Sequence, residues 1–201
     1  MARAQFNRND IIDKSIELFW QKGFSASSMQ QVVKTTGLKP GSIYLAFGNK
    51  EGLFREALES YAQKSMELIR KILGSAPSVG VGICTILEMM IQDSYRKNYC
   101  SCFLIKTQLE LATEENELYD FAATKLGEIE KLYQSYLEQE YSASVSQHRA
   151  ASLMLHIFGV KVYSYQPGSA DRMRQGLREG LPWLPWLPWV QCSGSIKPDT
   201  N

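Results

Sequence analysis

Residues 23–54 read GFSASSMQQVVKTTGLKPGSIYLAFGNKEGLF, and this stretch decides the fold of the chain. The spacing Ser27-x-x-Gln30 predicts a capping box, in which the two side chains each take a free backbone N–H at the start of a helix. Gly37 predicts a turn because glycine accepts a positive φ, and Pro40 suits the first turn of the helix that follows. The stretch therefore predicts two short helices joined by a tight turn.

The second short helix has an inner and an outer face. Ile43 and Phe47 are four residues apart, so they share one face and are predicted to point inward. The residues left to point outward are Ser42, Tyr44, Leu45 and Ala46. A tight turn followed by a short helix with an exposed face is typical of a helix-turn-helix, whose second helix lies against DNA.

The same run resembles the TetR/AcrR family of bacterial transcriptional repressors. The matching residues are Gly23-Phe24, Ser27-Ser28-Met29 and Gly37-Leu38-Lys39-Pro40-Gly41-Ser42-Ile43-Tyr44, then Phe47, Asn49-Lys50-Glu51 and Leu53. The resemblance implies an all-α fold of about nine helices, in which a helix-turn-helix domain precedes a helical domain for effector binding and dimerisation. It also implies three partners: a double-stranded DNA operator, a small apolar or aromatic effector, and a second copy of the chain.

We expect three segments along the chain. Residues 1–50 form the helix-turn-helix DNA-binding domain, and residues 51–180 form the helical effector-binding and dimerisation domain. Residues 181–201 form a tail with three Leu-Pro-Trp repeats. Proline at every third position forbids an α-helix and favours an extended, polyproline-like path. Such a tail either anchors a partner groove through its tryptophans or folds back over its own body.

Charge separates the head from the body. Residues 1–50 hold seven Lys and Arg against three Asp and Glu, hence +4, while the whole chain carries +1. A basic head on a mildly acidic body is typical of a protein that touches phosphate at one end. The start of the chain lacks the apolar core of a signal peptide, and no apolar run approaches the ~20 residues that span a bilayer. We therefore expect a cytoplasmic protein with reduced cysteines and no membrane contact.

The resemblance and the helix pattern together indicate which residues contact DNA. Phosphate contacts are expected from Ser28, Tyr44 and Lys50. Base-edge or groove contacts are expected from Gln30, Lys39, Gly41, Ser42 and Leu45. Leu45 offers only apolar contact, for instance to a thymine methyl group.

The helices beyond residue 50 are rich in aromatic residues and methionine, which suggests a cavity. Its expected lining is Tyr61, Met66, Tyr95, Tyr99, Phe103, Tyr119 and His156, with Met89, Tyr133 and Tyr163 as further candidates. Lys106, Gln108 and Glu110 are its polar candidates. The same residues also suit ordinary core packing, because pockets in helical bundles are mostly apolar.

Apolar residues near the end of the helical body suit dimerisation. They are Leu153, Ile157, Val160, Met173 and Leu177. The resemblance implies that the helices carrying them form a four-helix bundle with the same helices of a second copy. The alternative is that these residues complete the core of one protomer.

The sequence shows no catalytic constellation, no glycine-rich phosphate loop and no metal-ligand spacing, so we expect neither an enzyme nor a cofactor or metal. Cys102-Phe103-Leu104 resembles a Gly-Cys-Leu segment from a branch of the family that senses electrophiles or oxidants. Lys106 lies near enough in sequence to lower the pKa of the Cys102 thiol. The other interpretation of Cys102 is a small buried hydrophobe.

The sequence leaves a second class of function open. Leu45 and Ala46 leave the outer face of the second short helix nearly neutral. The chain is therefore either a ligand-responsive repressor or a protein-interaction module that has lost DNA binding, with the Leu-Pro-Trp tail as its contact.

Overall fold

The structure is a computed structural model that describes residues 6–96, 99–113 and 115–186. Within these residues it contains nine helices and no strand, which confirms the expected all-α fold. The helices are α1 (Arg8–Lys22), α2 (Met29–Thr36), α3 (Pro40–Phe47), α4 (Lys50–Ser75), α5 (Val79–Asp93), α6 (Phe103–Leu111), α7 (Glu117–Leu137), α8 (Ala143–Tyr163) and α9 (Ala170–Gly180). None of the described helices is both long and apolar enough to cross a membrane.

The capping box of α2 lies one residue later than the sequence pattern predicted. Ser28 Oγ accepts the N–H of Gln31 at 3.2 Å, and Gln31 Oε1 accepts the N–H of Ser28 at 2.9 Å. Ser27 is buried instead, and its hydroxyl donates to Gly23 O at 2.6 Å. The prediction of Ser27 and Gln30 was therefore wrong by one position, because the first serine faces the interior.

The turn and the second short helix follow the prediction closely. Gly37 adopts a left-handed conformation with φ 73°, and its N–H donates to Val33 O at 2.9 Å. Ile43 and Phe47 are buried, which confirms the inner face of α3. Ala46 differs from its predicted outward position, since it is only partly exposed and packs against the core.

α4 carries the core from the N-terminal helices into the body. Phe54 is fully buried on it and contacts three other rings. Its ring centroid lies 4.8 Å from that of Phe19, 5.2 Å from that of Phe24 and 5.1 Å from that of Phe103. Because these rings belong to α1, the α1–α2 loop and α6, one continuous core joins the head to the body.

The first two Leu-Pro-Trp repeats fold back over the body. Leu181 and Leu184 are buried, and the N–H of Leu184 donates to Leu181 O at 3.1 Å. Pro185 lies against α5, where a Cβ added to Gly80 would meet its Cδ at 2.7 Å. This turn replaces the extended path predicted for the tail, because burying both leucines requires the chain to reverse. The third repeat lies outside the described residues.

Candidate DNA-binding surface and ligand cavity

The residues expected to contact DNA lie on α2, on α3 and at the turn between them. Tyr44 is 51% exposed and Leu45 is 76% exposed. Ser28, Gln30, Lys39 and Gly41 are exposed as well, and Ser42 is half-buried. Lys39 stands at the N-cap of α3 without a side-chain hydrogen bond to the helix. The free N–H groups at a helix N-terminus suit a phosphate, so this geometry supports DNA contact, and the individual contacts stay predictions.

Lys50 has a structural role that the sequence did not reveal. Its ammonium donates to Phe24 O at 2.9 Å and to Ser27 O at 3.0 Å. It also lies 4.1 Å from the centroid of the Phe24 ring. Two of the three donors of Lys50 are therefore committed to the loop that precedes α2, and only the third is left for a phosphate.

Arg8 is a second cation of the head that serves the fold. Its guanidinium pairs with Glu56, donates to Ala46 O at 3.0 Å and lies 4.3 Å from the Phe47 ring centroid. Arg8 is exposed but paired, and the other exposed cations of the described head are Lys14, Lys22, Lys34 and Lys39. The positive field of the head therefore comes from these lysines more than from Arg8 and Lys50.

A cavity of about 550 Å³ lies between α4, α5, α7 and α8, and α1 closes one end. Four of the expected aromatic and methionine residues line it: Tyr61, Met89, Tyr99 and Tyr133. Leu68 and Met89 are about half exposed at its rim, so they mark its opening between α4 and α5. The cavity also contains Trp20 of α1, which the sequence analysis did not select.

Several expected lining residues lie elsewhere, and the lining prediction was wrong for them. They are Met66, Tyr95, Phe103, Tyr119 and His156, together with Tyr163 and the polar candidates Lys106, Gln108 and Glu110. On α4 the lining residues recur every three or four positions, and Met66 falls on another side. Phe103 is buried in the aromatic cluster around Phe54, and Tyr95 is 62% exposed. Residue type does not fix which side of a helix faces a cavity.

The two ends of the cavity differ in polarity. Asp93, Arg96 and Lys161 line the end near α1, and Arg96 pairs with Asp93 at 3.1 Å. Burial lowers the pKa of the Lys161 ammonium, while Cys102 and Asp93 oppose that shift. At the other end, the Tyr133 hydroxyl is buried without a hydrogen-bond partner among the described residues, and burial raises its pKa. One end therefore offers charge and the other offers an apolar wall with one unsatisfied hydroxyl.

Two cysteines lie in the cavity wall, at the end where Lys161 lies. They are Cys100 and Cys102, and Cys102 is buried. The Lys106 ammonium, which we expected to act on the Cys102 thiol, donates to Trp20 O instead. Cys84 lies outside this wall, and burial raises the pKa of its thiol to about 11, which keeps it protonated. Cys192 lies outside the described residues.

A set of hydrogen bonds joins α6 to the end of α1. The Glu110 carboxylate accepts the N–H of Phe24 at 3.0 Å and the N–H of Ser25 at 2.7 Å. The Trp20 indole N–H donates to Ser101 O. These contacts connect the segment that borders the cavity to the loop that leads into the helix-turn-helix. In the sequence, only Gly23 hints at these hydrogen bonds. A Cβ at Gly23 would lie 2.3 Å from Glu110 Oε2, so the approach of Glu110 requires glycine there.

The residues expected at a dimer interface divide into two groups. All five are buried within the protomer, and Ile157 also lines the cavity, so their place at an interface stays a prediction. Val160, Met173 and Leu177 line a groove of about 410 Å³ between α8 and α9, as does His156. The groove also contains Leu155, Gly159 and Gly176, and Leu155 is 71% exposed. The exposed Leu155 of α8 therefore lies two positions along the helix from the predicted Leu153 and Ile157.

Comparisons with known proteins agree with this architecture. Residues 11–57 match the family described as bacterial regulatory proteins, tetR family. The HTH-type transcriptional repressor ComR of Escherichia coli (strain K12) is 25% identical over 178 residues, which cover 85% of each chain. A structure of the TetR family transcriptional regulator CifR, as a cysteine mutant with 26-bp double-stranded operator DNA, has a TM-score of 0.77 at 22% identity. It covers 92% of this chain and 100% of CifR.

A reduced form of NemR from E. coli shares the fold as well, with a TM-score of 0.70 at 16% identity. The match covers 86% of this chain and 95% of NemR.

Among the described residues, no three or more His, Cys, Asp or Glu side chains lie close enough together to hold a metal ion.

Proposed function

The chain belongs to the TetR family of bacterial regulatory proteins, and from this premise we propose that it is a homodimeric cytoplasmic repressor that an effector releases from a palindromic operator. It is a DNA-binding transcriptional regulator and not an enzyme, as expected from the sequence. Residues 1–50 read the DNA in this proposal, and residues 51–180 bind the effector and the second copy. The observation that carries the proposal is the exposed face of α3, where Tyr44 and Leu45 project from a helix anchored by Ile43 and Phe47.

DNA contact comes from both helices of the motif in this proposal. Ser28, Tyr44 and the N-terminal N–H groups of α3 bind phosphate, and the third N–H of Lys50 adds to them. Gln30, Lys39, Gly41, Ser42 and Leu45 approach the bases or the groove. The exposed lysines of the head supply a positive field that steers the protein to its operator.

The groove between α8 and α9 supports dimerisation. Leu155 and Val162 are exposed on α8, and Gly159 between them leaves room for a partner helix. A second copy packed on this face by a two-fold axis would bury these residues in a four-helix bundle. Two recognition helices then face half-sites whose centres lie about 34–36 Å apart, or farther if the bound spacing is larger.

The contacts between α6 and α1 support a route from the cavity to the DNA. Trp20 lines the cavity and also donates to Ser101 O, while Glu110 holds the loop after α1. An effector that moves Trp20 or Ser101 would therefore change the position of the head. Coupling requires that the effector bind the two head positions unequally, because equal binding would shift nothing.

Binding to the chain's own promoter region tests the proposal. The expected result is a specific complex of two protomers on a palindromic site, measured by a fluorescence anisotropy titration with a scrambled fragment as control. Specific binding by a monodisperse monomer would overturn the dimer, and equal affinity for both fragments would overturn operator recognition. Equal affinity would move the interaction-module alternative ahead.

A chemical trigger at the cavity cysteines is the second candidate for release. Cys100 and Cys102 line the cavity, so an oxidant or alkylating agent that enters it meets both thiols. A Cys102→Ser variant should then repress normally but lose its response to oxidant. A response equal to that of the parent chain would exclude Cys102 as the sensor.

A further inference from the structure

The cavity extends along α4. Its wall on α4 extends from Tyr61 to Ile72, which is roughly 16 Å at about 1.5 Å per residue. A volume of about 550 Å³ over that length gives a mean cross-section of about 34 Å². An extended molecule can therefore lie along this wall.

The end of the cavity nearest the head carries the Lys161 ammonium. Lys161 belongs to this end because its backbone oxygen accepts the hydroxyl of Ser101 at 2.6 Å, and Ser101 O in turn accepts the Trp20 indole. Asp93 is paired with Arg96 at 3.1 Å. Across the described part of the chain, the Lys161 ammonium has neither a hydrogen bond nor a salt bridge.

An unpartnered charge inside an apolar cavity is unfavourable unless a ligand supplies the missing acceptor. Lys161 lines the cavity and is only partly exposed, and burial lowers the pKa of its ammonium. Asp93 pairs with Arg96, and Glu17 of α1, which also lines this end, is exposed to solvent, so Lys161 is the half-buried cation that no described side chain pairs. An anionic group would restore the solvation that burial removes.

The rest of the cavity is apolar. Ile72, Ile86 and Ile129 line it beyond the charged end, and Tyr133 lies at the far end. The half-exposed Leu68 at the rim gives an apolar path inward. A ligand with one charged group and a long hydrocarbon part would match each of these surfaces in turn.

We propose that the cavity binds an elongated apolar carboxylate, whose carboxylate contacts Lys161 and whose chain runs along α4 towards Tyr133. The inference rests on the proposed function, since it names the effector class for the same cavity. The backbone oxygen of Lys161 accepts the Ser101 hydroxyl, and Ser101 O accepts the Trp20 indole, so these residues connect a ligand bound at Lys161 to the head.

Calorimetry on the full chain without DNA tests the ligand class. The probes are decanoate, decan-1-ol and decyltrimethylammonium, which share one chain length and differ in the charge of the polar group. Decanoate should bind at least about tenfold more tightly than the other two, as a charged hydrogen bond requires. Lys161→Met should remove about that factor for decanoate and leave decan-1-ol unchanged. Lys131→Met is the matched control, because Lys131 is exposed on α7.

Three results would overturn the inference: equal affinity for decanoate and decan-1-ol, tighter binding of the cation, or undiminished decanoate binding by Lys161→Met. The comparison of probes on the unchanged chain decides the matter even if that variant does not fold. Failure of the proposed function would give a different result in the same experiments. Decanoate would then bind through Lys161 and yet leave the complex with promoter DNA intact.

Discussion

The Glu110 carboxylate on α6 accepts the backbone N–H of Phe24 at 3.0 Å, although the two residues belong to opposite parts of the protein. The same carboxylate accepts the N–H of Ser25 at 2.7 Å, so one body side chain holds the loop that leads into the DNA-binding motif. A hydrogen bond to a charged acceptor contributes about 1.5–3 kcal/mol, more than a neutral one. The head is therefore held to the body by a few strong polar contacts beside the shared aromatic core.

Replacing Glu110 should loosen the head. Glu110→Ala leaves two N–H groups without their acceptor, and we expect a loss of about 1–3 kcal/mol in the free energy of unfolding, measured by urea denaturation. DNA affinity should fall and respond less to an effector, because the head position is no longer tied to α6. Glu115→Ala, at an exposed position before α7, is the control. Unchanged stability and unchanged induction in Glu110→Ala would contradict this role.

Gly41→Ala should change stability and DNA affinity in opposite directions. A Cβ at Gly41 would meet no protein atom within 4 Å, so the fold itself does not require glycine there. Replacing it in the first turn of α3 should stabilise the protein by about 0.4–1 kcal/mol through the unfolded state. The new methyl group would instead face the DNA and weaken operator binding in an anisotropy titration. Full operator affinity in a stabilised Gly41→Ala would remove Gly41 from the DNA surface.

Tyr133→Phe should stabilise the free protein. The Tyr133 hydroxyl is buried without a partner among the described residues, so its removal relieves a desolvation penalty of about 1–3 kcal/mol. The expected result is a higher midpoint of urea unfolding at an unchanged m-value. Tyr136→Phe is the comparison, because the Tyr136 hydroxyl is half-exposed and reaches Arg70 O at 3.4 Å. A destabilised Tyr133→Phe would mean that the hydroxyl has a partner, such as a trapped water.

Leu155→Asp should separate the protomers without unfolding them. Leu155 is 71% exposed, so a carboxylate there is tolerated in one protomer but would lose its water in a dimer. Sedimentation should show a monomer with an unchanged helical circular dichroism signal and weaker operator binding. Leu109→Asp is a suitable control, since Leu109 is 67% exposed on α6. A Leu155→Asp dimer of native affinity would place the interface elsewhere.

Shortening the tail should reveal its contribution to the fold. A chain that ends at residue 180 loses the buried Leu181 and Leu184, whose burial contributes about 3 kcal/mol or more. It also loses Trp183, whose ring lies 4.6 Å from the Arg149 guanidinium. A chain that ends at residue 186 keeps these contacts and should unfold near the temperature of the full chain. Equal melting temperatures for both truncations would contradict a structural role for the first two repeats.

Local sequence patterns sufficed for the helices and for the turn of the motif. The spacing of apolar residues, Gly37 and Pro40 are local signals, and they predicted the described helices and the inner face of α3. The capping box shows the limit of such signals, because consecutive serines precede consecutive glutamines there. Only the burial of Ser27 against Gly23 decides which serine caps α2.

The site was harder to predict because its members meet across the chain. Trp20, Ser101 and Glu110 are linked to partners more than eighty residues away, and periodicity carries no information about such pairs. The sequence also leaves open which acceptors the Lys50 ammonium binds, because its N–H groups can donate either to the loop carbonyls or to a DNA phosphate. Tyr61 and Met66 are both large and apolar, but they lie on different sides of α4, so only Tyr61 lines the cavity.

The position of Trp20 gives the protein an intrinsic optical probe. Its indole lies in the cavity wall, packs edge-on against Tyr61 at 5.2 Å and donates to Ser101 O. Indole emission responds to polarity and to the hydrogen bond of the ring nitrogen, so occupancy of the cavity and release of the head should each shift its wavelength. With the tail tryptophans replaced by phenylalanine, Trp20 would be the sole tryptophan, which can be excited selectively over the tyrosines. Time-resolved fluorescence could then separate ligand entry from head movement without a label.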